Sequence, residues 1–348
     1  MNGIKARDIC KMKNKMVVKI IISVLIGFLL IGGWLRFINI DRMMVYLRDV
    51  DFRWVLGANV LFFGAYIIRA LRWRAIIEPI ERLTIGETCK LYMAGLAINF
   101  LLPFHIGQMA QPILLKQMKG VPISKSLPTL FIDRVMNLFS IIILCLLIPC
   151  LPGMIGSAIL AGIGFIFICL IMLCGIIWFM SEKKDVSVEL TRRVVSLFPC
   201  VIQKKIGNFS TNFVKGFSDI KQGHHRFGWF IGLTFLAMGM ECMYLWGIFY
   251  SLGVNVPLIV VCFGYIFIYL ASIIPPPPAR VGTTQAFWML VFTLTFGLDK
   301  NLVSAAVTIS YLFTAVLICV IGMISLGLIG VGFVRAIKLS TNGRIDEK

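Results

Sequence analysis

Two short stretches place basic and amide side chains beside proline and glycine within otherwise apolar surroundings: Pro103-Phe104-His105-Ile106-Gly107-Gln108 and Pro278-Ala279-Arg280-Val281-Gly282-Thr283. They share one order: proline, small or apolar, basic, β-branched, glycine, polar. A guanidinium at Arg280 can hold a phosphate or carboxylate through two parallel hydrogen bonds. His105, with Asn99, Gln108 and Gln111 around it, can hydrogen-bond a polar headgroup without permanent charge. Each has a plainer reading that stays open here. Arg280 can snorkel to headgroups at an interface, and His105 can be satisfied inside a helix bundle. Asp133 and Arg134 are adjacent, so on a helix they point apart; Arg134 is free to face a cavity while Asp133 pairs elsewhere. Glu241 sits in the middle of an apolar run, where a lone carboxylate is costly. It is protonated, paired with a basic residue such as Arg280 or Arg134, or part of a proton path.

Covalent chemistry finds little support. No Walker loop, G-x-S-x-G, H-E-x-x-H or dinucleotide fingerprint is present. The ten cysteines form no C-x-x-C pair, and most lie in apolar runs as small hydrophobes. His224-His225 reads as an interface pair. No catalytic residue, metal site or cofactor is assigned.

The elements that must position these groups are membrane helices. The 348 residues are 59% hydrophobic and 14% charged, against about 45–50% and about 25% for a soluble domain. The net charge of +18 lies mostly in the breaks between apolar runs, where the positive-inside rule accounts for it without nucleic acid. Full spans are expected at Ile20–Ile38, Trp54–Ile68, Leu127–Ile148, Ile155–Met180, Phe227–Leu252 and Val303–Phe333. The cluster Arg69-Ala70-Leu71-Arg72-Trp73-Arg74 reads as an interface anchor. The loop Ser181–Arg226 holds nine Lys and Arg, and Pro149–Met154 and Gly253–Pro257 hold none. Both termini and that loop are therefore expected in the cytoplasm of a plasma-membrane protein. A basic segment 1–19 precedes one membrane domain, 20–334, and a tail 335–348 follows. Within the loop, Ile202, Ile206, Phe209, Phe213, Phe217 and Ile220 make one apolar face of an amphipathic helix, 202–221. It lies on the inner leaflet or docks on the protein itself.

Two stretches, Lys90–Leu115 and Leu258–Leu298, are apolar but broken in the middle. A helix entering Pro275, Pro276, Pro277 and Pro278 loses the donors for the carbonyls of Ala271 to Ile274. Pro103 frees the carbonyl of Asn99 in the same way, with Gly107 and Gly282 beyond each break. Non-helical backbone survives at membrane depth only inside protein or beside a watery cavity. Each stretch reads as a re-entrant hairpin, one from each side, or as two short spans, giving six spans plus two hairpins or eight to ten spans. Inverted flanks and matching breaks are the pattern of an inverted repeat with a midplane site.

Arg69-Ala70-Leu71-Arg72-Trp73, Asn99-Phe100-Leu101-Leu102-Pro103 with Gly107, Asp133-Arg134 and Pro275–Gly282 stand in an order and spacing that resembles a flippase-like family of integral membrane proteins. This is the transmembrane region of lysylphosphatidylglycerol synthases, with members also named dolichol-phosphate-sugar synthetase-like. The likeness covers roughly Ile20 to Phe333. Against the family's usual residues, His105 and Gln111 stand for Arg, Gln108 and Gln285 for Glu, and Asn137 for Asp. The headgroup differs, or ion coupling is altered. These 348 residues hold no soluble aminoacyl-transferase domain, so the resemblance implies a lipid-handling membrane module without lysyl transfer. The expected function is translocation of a polar-headed lipid, with Asn99, His105, Gln108, Gln111, Arg134, Arg280 and Gln285 as headgroup ligands. The alternatives are an enzyme of lipid modification and an accessory subunit for a lipid-modifying enzyme or glycosyltransferase. The lone D-x-D, Asp49-Val50-Asp51, falls on the expected outer side, away from nucleotide donors.

Overall fold

The computed structural model describes residues 24–145, 168, 172, 175, 227–271 and 276–331. Every regular element among them is helical. The expected span Ile155–Met180, the amphipathic helix 202–221, both termini and Pro275 lie outside the described residues.

The first apolar run forms α1 (Val24–Phe37), which turns by 86° into α2 (Ile40–Arg48). Asn39 makes the corner: its backbone is extended, and its Oδ1 accepts from Arg42 N at 3.1 Å, which starts a new helix. Asp41 in the first turn and Arg48 in the last suit the helix dipole. α3 (Phe52–Ile77) runs well past the expected end at Ile68. α4 (Ile85–Leu101) opens with a reciprocal capping box. Glu87 N donates to Thr84 Oγ1 at 3.2 Å, and Thr84 N donates to Glu87 Oε2 at 2.9 Å. The helix stops at Leu102, extended because proline follows. A 3-10 segment, Pro103–Met109, leads into α5 (Ala110–Lys119), and α6 (Ile123–Cys145) follows.

Beyond the loop come α7 (Phe227–Ser251) and α8 (Leu258–Ala271), then a 3-10 turn, Pro278–Arg280. α9 (Thr283–Trp288) passes into a π-helical stretch, Met289–Thr295, and α10 (Lys300–Ile329) closes the described chain. Asp299 Oδ1 caps α10 by accepting from Asn301 N and Leu302 N, both at 2.9 Å. Among the described residues three helices are long and apolar enough to cross a membrane, α3, α7 from Gly228 and α10, and α1 with α2 makes a fourth if the bent pair counts as one.

The chain divides into two compact units. The first holds the residues to Asn59, Ala94–Ala110 and Cys242–Ile324. Its core includes Phe249, Trp288 and Phe292, with Phe249 edge-on to Phe292 at 4.9 Å. Gly264 of α8 lies under the Phe292 ring so closely that a Cβ there would overlap it. The second unit holds Val60–Met93, Gln111–Glu241 and the residues from Ser325. Trp73, Ile76, Leu91, Leu114 and Leu115 are fully buried in it, and Trp73 Nε1 donates to Thr129 Oγ1 at 3.1 Å.

Candidate functional site

In the first unit the two breaks pack against each other: Pro103–Met109 and Pro278–Arg280 bring Cα atoms within 8 Å. Sequence reasoning paired these segments by pattern; the fold puts them side by side. His105 stands third in the first of them.

Each break is held by close backbone packing. Gly107 lies against Ile98 and Asn99 of α4, where a Cβ would overlap the Asn99 backbone. Gly282, at φ +80°, faces α1, where a Cβ would stand 2.5 Å from Gly27 O and 2.9 Å from Leu30 Cβ. Gly27 reciprocates, its own Cβ position lying 3.1 Å from Val281 O. Only glycine fits at Gly282 without strain. Ala279 and Arg280 also take left-handed conformations, with φ of 53° and 59°. Two consecutive non-glycine residues in that region cost about 1–3 kcal/mol each, and such strain gathers at ligand clamps and active sites. Surrounding bonds hold the turn. Arg280 N donates to Pro277 O at 2.9 Å, and Thr283 Oγ1 donates to Arg280 O at 3.0 Å. Tyr311 of α10 donates its hydroxyl to Ala279 O at 2.9 Å, while its ring lies 6.4 Å from that of Phe100 at the tip of α4. Tyr311 thus touches the flanks of both breaks.

Two candidate ligands carry buried atoms with no hydrogen-bond partner among the described residues: Asn99 Oδ1 and Arg280 Nε. Trp34 Nε1 is a third such atom; it stands about two turns beyond Gly27 on the same face of α1. An unmade buried hydrogen bond costs about 1–3 kcal/mol. With Asn59 Oδ1, two acceptors and two donors of this unit have no hydrogen-bond partner among the described residues. Pro276 and Pro277 are buried beside them. Gln108 is half-buried in the same unit. Gln285 is used differently from the expectation: its Oε1 accepts from Gly282 N at 2.9 Å and caps α9. That bond takes one lone pair of Oε1 and fixes the direction in which its amide nitrogen can donate.

Gln111 and Arg134 belong to the second unit, Gln111 buried and Arg134 exposed. There the charged groups form a separate network. Arg72, fully buried, donates from Nε and Nη2 to Asp133 Oδ1 at 3.0 and 2.7 Å. Its Nη2 also reaches Asn137 Oδ1 at 2.8 Å, and its Nη1 reaches Thr234 Oγ1 at 2.7 Å. One turn earlier on α3, Arg69 pairs with Glu241 at 2.5 Å. The expectation of an interface anchor at Arg69-Ala70-Leu71-Arg72-Trp73-Arg74 is corrected here for Arg69, Arg72 and Trp73. Arg69, Arg72 and Trp73 point into the unit because α6 and α7 supply the carboxylates and amide that a buried guanidinium requires. The signal was in the sequence as intramembrane carboxylates, Asp133 and Glu241; the partners expected for Glu241, Arg280 or Arg134, are corrected to Arg69.

A third pair closes the neck of the first broken stretch. Lys119 Nζ at the end of α5 lies 2.7 Å from Glu87 Oε1 at the start of α4. With the Lys119 bond first and the Thr84 backbone bond second, the Glu87 carboxyl is held down at about 2. No group of three or more His, Cys, Asp or Glu that could hold a metal ion occurs among the described residues.

Comparison with known proteins agrees with the motifs. The family described as the lysylphosphatidylglycerol synthase TM region matches residues 16–322. A UPF0104 membrane protein of Methanocaldococcus jannaschii is 21% identical over 330 residues, covering 89% of this chain and 95% of the relative. One from Pyrococcus horikoshii is 21% identical over 295 residues, covering 80% and 88%. No solved structure matches the chain.

Proposed function

Because the chain belongs to the lysylphosphatidylglycerol synthase TM region family, a family of membrane proteins, we propose that it translocates a polar-headed lipid between the two leaflets. The headgroup is received where the two breaks meet. The observation that carries this reading is the packing of Pro103–Met109 on Pro278–Arg280, with Asn99 Oδ1 and Arg280 Nε left unpaired in the same unit. A donor from a strained, proline-bracketed turn suits an anionic phosphate; an amide oxygen suits a hydroxyl or ammonium on the same headgroup. Lipids with a phosphate and a hydroxylated or amine-bearing group meet both requirements.

The re-entrant arrangement supports the same reading. The Glu87–Lys119 bridge ties the two ends of the first broken stretch together, as a hairpin that enters and leaves on one side requires. Its longer arm, α4, has 17 residues, about 26 Å of helix, and α8 in the second stretch has 14, about 21 Å. Both fall short of the roughly 30 Å hydrocarbon core. α8 also packs back on the π-helical stretch that follows its break. Two such hairpins from opposite faces form an inverted repeat whose broken tips share one midplane site. In this reading the protein sits in the plasma membrane with its termini in the cytoplasm and works without covalent chemistry. Transport is passive, ion-coupled or driven by consumption of the moved lipid.

The test is lipid retention and scrambling. Protein purified in mild detergent is scored by native mass spectrometry for bound lipid, then reconstituted with fluorescent phospholipids. Arg280→Gln should lose most of the retained anionic lipid and the scrambling while still inserting. Arg280→Lys should recover part, because an ammonium lacks the bidentate fork. Wild-type retention in Arg280→Gln refutes the site. Retention without scrambling by the wild-type protein alone favours the accessory-subunit reading.

A further inference from the structure

Two hydrogen bonds join helix ends in the first unit. Asn39 N donates to Asn301 Oδ1 at 2.9 Å, which joins the end of α1 to the start of α10. Asp51 N donates to Ser251 O at 2.9 Å, which joins the start of α3 to the end of α7. Lys300 Nζ lies over the Phe37 ring at 5.0 Å. The second joint carries an aromatic cluster. The Trp54 ring is 4.5 Å from that of Tyr250, which stacks on Trp246 at 4.9 Å. Trp54 and Tyr250 are 40% and 38% exposed. Exposed tryptophan and tyrosine at the shared ends of span-length helices mark a membrane–water boundary.

At the first joint α1 turns by 86° into α2, whose far end leads to the second joint. α1 belongs to the first span expected from the sequence, Ile20–Ile38, and a helix perpendicular to that span runs along the membrane plane. Its sides are unequal. Met43 is buried against the protein, with Tyr46 and Leu47 partly so. Ile40 and Met44, one turn apart, are 53% and 44% exposed and continue the exposed Phe37 of α1. Asp41, Arg42 and Arg48 are also exposed, with Arg42 on the side opposite Ile40. Val45 is the one apolar side chain among them.

We infer that α2 is an interfacial helix whose Ile40–Met44 stripe seats in the headgroup–acyl boundary of the bilayer. Nothing in the lipid-translocation reading requires it, and it stands if that reading fails. The occupant of the stripe is a lipid surface, because the stripe lies in the plane that the aromatic cluster and the right-angled turn define. Asp41 and Asp49 balance Arg42 and Arg48, so the seat depends on apolar burial and needs no anionic lipid. Asn39 fixes the geometry from both sides, through its backbone to Asn301 and its side chain to Arg42.

The experiment uses the full chain reconstituted in phosphatidylcholine vesicles, with nitroxides on single cysteines at Ile40→Cys, Met44→Cys and Arg42→Cys. Accessibility to oxygen against a water-soluble nickel chelate reports depth. Labels at 40 and 44 should favour oxygen and sit at equal depth, and the label at 42 should favour nickel. Adding phosphatidylglycerol should change none of these. If α2 instead continued a broken span, the labels at 40 and 44 would differ in depth by about 6 Å, four residues of helical rise. That difference, or nickel access at all three sites, overturns the inference. So does spin–spin broadening at 44, which would make a second copy of the chain the occupant. Met44→Trp on the native cysteine background, read by brominated-lipid quenching, gives an independent measurement. Added quenching is expected, and its absence counts against the seat.

Discussion

Removing the carboxylate from the Arg72–Asp133 pair is the sharpest perturbation of the second unit. Both side chains are almost wholly buried, at 1% and 2% exposure. In Asp133→Asn the guanidinium keeps Asn137 Oδ1, Thr234 Oγ1 and the Asp133 carbonyl, the last at 3.2 Å. Its hydrogen bonds survive in large part, and its charge does not stay balanced. Breaking a buried pair from one side costs about 3–5 kcal/mol; the surviving neutral partners put Asp133→Asn near the lower end. Arg72→Met strips the carboxylate of two donors and should cost about the same. Asn137→Ala removes one neutral acceptor from a cation and should cost about 1.5 kcal/mol. The double change Arg72→Met with Asp133→Leu should recover most of either single loss, because no charge remains to bury. Thermal unfolding in one mild detergent, with a double-mutant cycle, reads all four. Single variants within about 0.5 kcal/mol of wild type, the range of ordinary surface changes, would refute a buried ion pair. A double variant as damaged as the sum of the singles would refute the coupling.

Other outcomes follow from the breaks. Gly282→Ala adds a Cβ against Gly27 O at a positive φ and should destabilise by about 2–4 kcal/mol and abolish scrambling; unchanged melting would mean α1 does not pack there. Tyr311→Phe keeps the ring contact with Phe100 but loses the bond to Ala279 O, for about 1 kcal/mol by thermal unfolding. The Glu87 carboxyl is held at about 2 against an ordinary 4.5, so its contribution is present above about pH 4.5 and is lost as pH falls toward 2. Spin labels across the hairpin neck should separate over that window, and Glu87→Gln should already be separated at neutral pH; a pH-independent distance in the wild type would remove the bridge from the argument.

Much of this was legible in the residues. Apolar runs gave the helices, and the Pro–Gly order paired two breaks more than 170 residues apart that the fold then packs together. Arg69 and Arg72 were not legible as buried. An arginine at the end of an apolar run looks the same whether it snorkels to water or meets a carboxylate. The difference lies 61 and 172 residues away, at Asp133 and Glu241. Gln285 was read as a ligand because an intramembrane amide looks unpaired in one dimension; its partner is a backbone N–H three residues back. α2 was passed over because nine residues between two spans carry no pattern that distinguishes a loop from a helix lying in the membrane plane.

The partners of α1 also set a timetable for biogenesis. Its corner residue Asn39 meets Asn301, 262 residues later in the chain, and Gly27 meets Gly282. At about 5–20 residues per second, the ribosome needs roughly a quarter of a minute to nearly a minute to deliver those segments. For that interval α1 must wait in the bilayer with a glycine-lined face turned toward lipid. Its early survival rests on its own hydrophobicity and on whatever insertion machinery shelters it. Chaperone dependence of newly made chains should therefore end abruptly once the residues around 282–301 have emerged.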